Sequence, residues 1–289
     1  MNTTPVSSIC HIRPENYPHS AVFDEVVAGL QFGFWELGHS VPIVNEPQPG
    51  SLVIGANIVP NIYYPDDCII FNLEQAGGSW FNDAYKSLLK NHIVWDYSQK
   101  NVDALAKMGI DRVVKCGIGY ASNLLMIPQN VEKDIDVLFY GSINQHRDRI
   151  LRELEETGLK VVRLFNCYGA ERDQIIARSK IVLNLHYYPQ QIFEIVRVSY
   201  LLANHCFVVS EDSPEIDKGQ YGIPMYPAED IAKACISWIN MPAAMKACAE
   251  YSHTRFRSMQ QHMYLRYAIS ATQEIRTSGY QNQDCGTRS

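Results

Sequence analysis

Eight short apolar runs, each with four to six apolar residues and each ending in polar residues or glycine, recur along this chain with room for a helix after nearly every one. They are SLVIGANIV (51–59), CIIFNLEQ (68–75), HIVWDYS (92–98), RVVKCGIGY (112–120), DVLFYGS (136–142), LKVVRLFN (159–166), KIVLNLHYY (180–188) and CFVVSED (206–212). Runs so nearly continuous in aliphatic residues suit strands buried on both faces, as in a parallel sheet. Amphipathic stretches over 22–38, 80–90, 99–108, 147–157, 171–179, 190–204 and 229–239 predict the intervening helices. Alternation of this kind gives an α/β fold with a parallel sheet. The segment YASNLLMIPQNVEKD (120–134) breaks the rhythm at Pro128 and precedes a fresh strand–helix series. A boundary there divides the chain into domains 1–127 and 128–289. From Pro242 to Ile275 the pattern is helical, and the last dozen residues read as a frayed tail.

The length of 289 residues fits one large or two small domains and rules out classes that cannot bury a core. The net charge of −6 argues against a dedicated phosphate-backbone binder, so nucleic acid is not the expected partner. Residues 1–130 hold 7 Lys/Arg against 12 Asp/Glu, while twelve of the fourteen arginines follow position 130. Arginine makes forked contacts with phosphate and carboxylate, which points to the second half as the holder of an anionic ligand. Eight cysteines (10, 68, 116, 167, 206, 235, 248 and 285) form no C-x-x-C pair and no metal ladder. The start lacks a leader pattern and no apolar run approaches membrane-spanning length, so a reduced, cytoplasmic protein is expected. Peripheral contact with a lipid-linked acceptor stays compatible with that.

Open α/β domains take ligands beyond the carboxyl ends of their strands. In the second half those ends carry Gly141-Ser142, Tyr168-Gly169, His186-Tyr187-Tyr188 and Ser210-Glu211, and a helix begins near Phe193–Arg197. DVLFYGSINQHR (136–147), YGAER (168–172), ARSKIVLNLHYY (177–188) and IFEIVRVSYLLANHCFVVSE (192–211) resemble, in order and spacing, the C-terminal half of group-1 type glycosyltransferases of the GT-B fold. Within that group the resemblance is to the compact branch that includes spore-maturation glycosyltransferase-like domains. GFWELGHSV (33–41), CIIFNLEQ and YSQKN (97–101) fit the first domain of such enzymes less distinctively. The resemblance implies two Rossmann-like domains facing a cleft, with a helix over 243–275 packing back onto the first. It implies a UDP- or GDP-linked sugar as co-substrate, a hydroxyl acceptor and no separate cofactor or metal.

The residues themselves are compatible with that chemistry. Gly141 and Ser142 permit close backbone approach of a diphosphate, or form a plain strand–helix turn. Arg147 lies within reach of a phosphate, or is a solvated first-turn residue. Tyr168 and Gly169 suit the floor for a base, or a turn with a buried ring. Glu194 and Arg197 place a charged pair on an otherwise apolar helix start, which is costly unless paired or ligand-bound. On the functional reading Arg197 neutralises the diphosphate and Glu194 receives sugar or ribose hydroxyls; the plainer reading is an i,i+3 ion pair. Ser199, in the stretch Arg197–Tyr200, joins the donor set by its place in the resembling motif. His186 either lines the donor pocket or is a satisfied core histidine. In many retaining relatives a second glutamate stands where this chain has Tyr200, and a glycine where it has His205.

For the acceptor, an inverting transferase needs a base near neutral pKa. Glu74 is the first candidate and Asp96 the second, each otherwise an ordinary strand-end hydrogen-bonding group; His11, Asp24, Glu25, Gln75 and Ser98 are also near strand ends. No dinucleotide, P-loop, serine-hydrolase or zincin motif is present. Asp134-Ile135-Asp136 enters a strand, the wrong end for a metal site. Two competing readings are a catalytically inactive nucleotide-sugar or glycan-binding protein on the same scaffold and a transferase acting on modified DNA bases.

Overall fold

Short aliphatic segments with polar or glycine ends become parallel strands, and the amphipathic stretches between them become the helices that cover the sheets. The computed structural model describes residues 4–216 and 219–284, and Cys285 with the last four residues lies outside them. The chain divides into two compact units, one of residues 1–118 with 261–289 and one of 119–260.

The first unit contains β1 (Ser8–His11), α1 (Asp24–Glu36), β2 (Ile43–Val44), β3 (Ser51–Ile54), β4 (Ile69–Asn72), α2 (Asp83–Asn91), β5 (Ile93–Asp96), α3 (Gln99–Lys107) and β6 (Val113–Lys115). The strands form a six-stranded sheet in the order β2-β1-β3-β4-β5-β6, every pairing parallel. The second unit contains β7 (Ile135–Tyr140), α4 (Gln145–Glu156), β8 (Val161–Leu164), α5 (Gly169–Ala177), β9 (Ser179–Asn184), α6 (Ile195–Ala203), β10 (Val208–Glu211), β11 (Met225–Tyr226), α7 (Ile231–Ile239) and α8 (Pro242–Arg257). Its five strands lie in the order β11-β10-β9-β7-β8, again all parallel. The final helix, α9 (Gln261–Asp284), belongs to the first unit.

All eight apolar runs supply strands. Three more strands, β1, β2 and β11, come from segments too short to announce themselves. β1 is the instructive one: SICH is four residues between Pro5 and Pro14, yet it is buried throughout and sits between β2 and β3. Its polar first residue is satisfied inside the sheet, where Ser8 Oγ and Ser51 Oγ are 2.8 Å apart.

The single helix expected over 243–275 is two helices, broken at Ser258–Gln260. The second packs on the first unit through close approaches that only glycine allows. A Cβ on Gly33 of α1 would stand 2.9 Å from Gln261 and Leu265, and one on Gly117 would stand 2.7 Å from the Tyr264 ring. Trp95, fully buried at the centre of β5, donates its indole N–H to Thr272 Oγ1 at 2.8 Å.

The unit division at 118/119 precedes the sequence-based boundary at 127/128. Buried Asn204 explains why residues 124–127 stay with the second unit. Its Oδ1 accepts the backbone N–H groups of Met126 and Ile127, both at 2.8 Å. Its Nδ2 donates to the carbonyls of Leu124 at 2.7 Å and Tyr200 at 2.8 Å.

Candidate functional site

In the second unit the chain turns one way from β7 to β8 and the other way to β9, so β7 and β9 flank a topological switch point. The crevice beyond the carboxyl ends at such a point is where open parallel sheets take ligands. β7 ends in Tyr140-Gly141-Ser142. Gly141 has φ +133°, and a Cβ on it would lie 2.8 Å from Nη2 of Arg197 and 3.8 Å from Nη1 of Arg147. The positive φ favours glycine here, and the missing Cβ leaves room for the Arg197 guanidinium, while Arg147 stands at ordinary contact distance.

Arg147 comes from the first turn of α4, whose cap is Asn144. The Asn144 side chain accepts the Arg147 backbone N–H at 2.9 Å and donates to the Tyr187 carbonyl at 2.8 Å, pinning the turn to the end of β9. The Arg147 side chain is buried and lies 5.1 Å from the ring centres of both Phe139 and Tyr187. It donates to the carbonyls of Leu185 at 2.6 Å, His186 at 3.2 Å and Ser142 at 2.8 Å, and its Nη2 is 3.6 Å from Glu194 Oε1. Burial first, then the neighbouring Arg197, push its guanidinium down to about 10, which leaves it charged at neutral pH. The carbonyls hold this charge, and the carboxylates of Glu194 and Glu211 offset part of it.

Arg197 projects from α6 and donates to Asn184 Oδ1 at the end of β9, at 3.2 Å. Its guanidinium lies 5.5 Å from the Phe139 ring centre and 5.4 Å from that of Tyr140. Two like charges gathered beside one aromatic ring repel, and an anion between them relieves that repulsion. Glu194 stands at the cap of α6, and its carboxylate reaches Arg147 on α4, a partner that spacing along its own helix does not suggest.

The remaining donor candidates divide. Ser199 is buried within α6 with its hydroxyl 3.4 Å from the Val196 carbonyl, a helix-internal role. Tyr168 caps α5, its hydroxyl 3.4 Å from Asn166 Oδ1, and Gly169 follows with φ +58°; both lie past the outer strand β8. His186 is buried, and its Nε2 lies 3.0 Å from the Asp212 carbonyl. A carbonyl only accepts, so Nε2 carries the hydrogen and Nδ1, which has no protein partner, presents a lone pair. Burial lowers the imidazole pKa, in keeping with a neutral ring.

Tyr200 and His205, where many retaining relatives have glutamate and glycine, both have structural employment. Tyr200 is buried and donates its hydroxyl to Asp173 Oδ2 at 2.7 Å, while Arg172 lies 4.8 Å from its ring centre and donates to Asp173 Oδ1 at 2.8 Å. His205 keeps the positive φ a glycine would favour, +56°, and stacks on His253 with ring centres 3.6 Å apart.

In the first unit the switch point lies between β1 and β3. Glu74 follows β4, half-buried, and its Oε1 accepts from Asn57 Nδ2 at 3.1 Å. Its backbone is braced: the Glu74 carbonyl accepts from Asn72 Nδ2 at 2.9 Å and from Asn101 Nδ2 at 2.8 Å. Asp96 does not fit an accessible base. It is fully buried, accepting from Asn72 Nδ2 at 2.6 Å and from the Ser98 N–H at 2.9 Å, and it thereby ties β4 to the start of α3. His11 is buried with Nδ1 3.6 Å from Asp24 Oδ1, and burial lowers its pKa.

Asn144, Asn184 and Asn57 escaped the sequence reading, because an asparagine at a strand or helix end carries no signature of which partner it will meet. Asp134 is bonded by Arg178 and Lys160, which hold its carboxyl well below the usual range, and Asp136 is bonded by Lys180, so both serve strand-entry ion pairs. Among the described residues no group of three or more His, Cys, Asp or Glu is placed to hold a metal ion.

Comparison with known proteins agrees with the architecture. No family model matches the chain. Two uncharacterized proteins of Acanthamoeba polyphaga mimivirus are similar in sequence. R358 is 31% identical over 168 residues, covering 57% of this chain and 58% of the relative. L140 is 28% identical over 151 residues, covering 50% and 49%. The chain thus spans about half the length of these curated relatives. Among solved structures, Anabaena HepE in complex with UDP-glucose superposes with a TM-score of 0.61 at 12% identity, covering 92% of this chain and 99% of that one. An alpha-glucosyltransferase with UDP and a 13-mer DNA gives 0.55 at 11% identity, covering 93% and 99%. AviGT4, a glycosyltransferase involved in avilamycin A biosynthesis, gives 0.53 at 14% identity, covering 92% and 96%. At these identities the likeness establishes the fold, which is the α/β GT-B fold expected from the motif series.

Proposed function

We propose that this chain is a glycosyltransferase that takes a sugar from a nucleoside-diphosphate donor, UDP- or GDP-linked, and transfers it to a hydroxyl acceptor. The observation that carries the reading is the convergence of Arg147 and Arg197 on Gly141 at the β7–β9 switch point. Two guanidiniums at a glycine strand end suit a diphosphate, which carries two or more charges and needs close backbone approach. Neutralising charge that develops on the departing nucleotide is the largest contribution such a site makes to sugar transfer. The donor is a co-substrate, and neither a metal nor a further cofactor is assigned. We assign the acceptor proton to Glu74; its half-buried carboxylate, held by Asn57 and backed by the Asn72–Asn101 brace, supports that choice. The free thiols of the seven described cysteines support a cytoplasmic setting, and no helix among the described residues is long and apolar enough to cross a membrane.

Nucleotide release from a panel of UDP-, GDP- and CMP-sugars, with and without hydroxyl acceptors, tests the proposal. Arg197→Ala is expected to lower turnover by roughly 100- to 1000-fold while leaving the melting temperature near that of the unsubstituted protein. Tight nucleotide-sugar binding without release across the panel would make the protein a binding module on this scaffold. Transfer confined to DNA duplexes would redirect the acceptor to modified bases.

A further inference from the structure

Beside the two arginines stands a third group of the same character, outside the set the sequence suggested. Glu211, the last residue of β10, has a side chain only 3% exposed, yet it is a carboxylate. Its Oε2 accepts the His186 backbone N–H at 3.0 Å, and both its oxygens face His146 Nε2, at 2.9 and 3.0 Å. A buried carboxylate without a counter-charge is costly; Arg147 lies within electrostatic reach of Glu211, and His146 is the basic side chain in direct contact with it. An ionised carboxylate accepts, so Nε2 donates to it. A protonated ring carries its second hydrogen on Nδ1, the position that Glu211 leaves unused. His146 is 37% exposed and directly precedes Arg147 in the first turn of α4, so the exposed side of the ring lies at the carboxyl ends of β9 and β10.

We propose that His146, oriented by Glu211, is a third cationic hydrogen-bond donor to the diphosphate, alongside Arg147 and Arg197. This rests on the donor-site reading above and extends it. The site then grips the leaving nucleotide with two guanidiniums and one imidazolium, and Glu211 acts as a positioning residue that never touches the ligand. The arrangement also explains a buried acid at the end of β10, where a parallel strand otherwise needs only an apolar residue.

The test is calorimetric titration of the full chain with UDP, GDP, ADP and CDP, and melting curves without ligand. For the nucleotide bound best, His146→Gln is expected to raise Kd about tenfold, the effect of losing one charged hydrogen bond. His146→Lys, which restores a cation but not the ring, is expected to recover most of the loss. His146→Lys keeps a counter-charge beside Glu211 and should melt near the unsubstituted protein, whereas His146→Gln should melt lower, so binding is compared at a temperature where the melting curves show every variant folded. Glu211→Gln should weaken binding in the parent and add nothing to His146→Gln. The proposal is overturned if His146→Gln binds as the parent does while Arg197→Ala binds weakly; the donor site then stands without its third cation. It is equally overturned if Lys and Gln at position 146 weaken binding alike. Absence of binding by the unsubstituted chain to all four nucleotides removes the donor-site reading itself, and this extension with it.

Discussion

The carboxyl ends of the two sheets share a topology and differ in chemistry. Both units have a switch point in strand order, between β1 and β3 in one and between β7 and β9 in the other, though β2, β3 and β4 follow one another without an intervening helix. Around the second point stand Arg147, Arg197 and the His146–Glu211 pair, all braced by backbone carbonyls, an asparagine or a buried acid. The residues at and beside the first are His11, Asp24, Asn57 and Glu74, braced by a network of Asn72, Asn101, Ser98 and Asp96. On the proposed function, one meets negative charge and the other offers acceptors for hydroxyl protons. The same fold supports both because strand ends only fix where side chains converge, while residue type decides what they attract.

The largest effect that would break this contrast is at Glu74. Glu74→Gln keeps the hydrogen-bonding shape but removes the proposed base, and is expected to lower kcat about 100- to 10,000-fold with the Kd for nucleoside diphosphate unchanged. An equal rise in that Kd would mean that the first unit does not act separately on the acceptor. A mid-sized effect concerns what holds the second unit's edge together. Asn204→Ala strands two backbone donors and two carbonyls, and is expected to cost on the order of 3 kcal/mol in denaturant unfolding. A loss under about 0.5 kcal/mol, the scale of an ordinary surface substitution, would show that residues 124–127 are held by other contacts.

The smallest effect is shared by both units and reads out with pH. Burial lowers the pKa of His11 and His19 in the first unit and of His186 and His253 in the second, from an ordinary value of 6.5. A folded state that resists protonation loses stability once the unfolded chain begins to take up protons, so the loss begins as pH falls through about 6.5. The melting temperature should therefore decline between pH 7 and pH 5. Substituting His253 with Gln should flatten that decline; an unchanged slope would remove His253 from its causes.

Much of this was legible in the sequence because buried parallel strands are written in runs of aliphatic residues and because glycine, proline and polar residues mark their ends. β7 and β9 could be read directly, and with them the strand end at Gly141; that Arg147 is buried there and not solvated could not. β1 could not, because four residues with polar ends form a strand only when β2 and β3 pair with them. Asp96 and Glu74 look alike as acids after a strand. Burial separates them: one is enclosed by Asn72 and Ser98, the other remains half open beside Asn57.

By itself, the order of residues determined the α/β class, the parallel sheets, the switch from an acidic first half to an arginine-rich second half and the strand ends at which chemistry sits. Those follow from local periodicity and composition, which act through neighbours along the chain. The tertiary structure alone decided which charges meet. Glu194 meets Arg147 on another helix, Glu211 is matched to His146 from 65 positions away, and Tyr200 is consumed by Asp173. Such pairings depend on where separate strands end in space, and no spacing within the sequence encodes that.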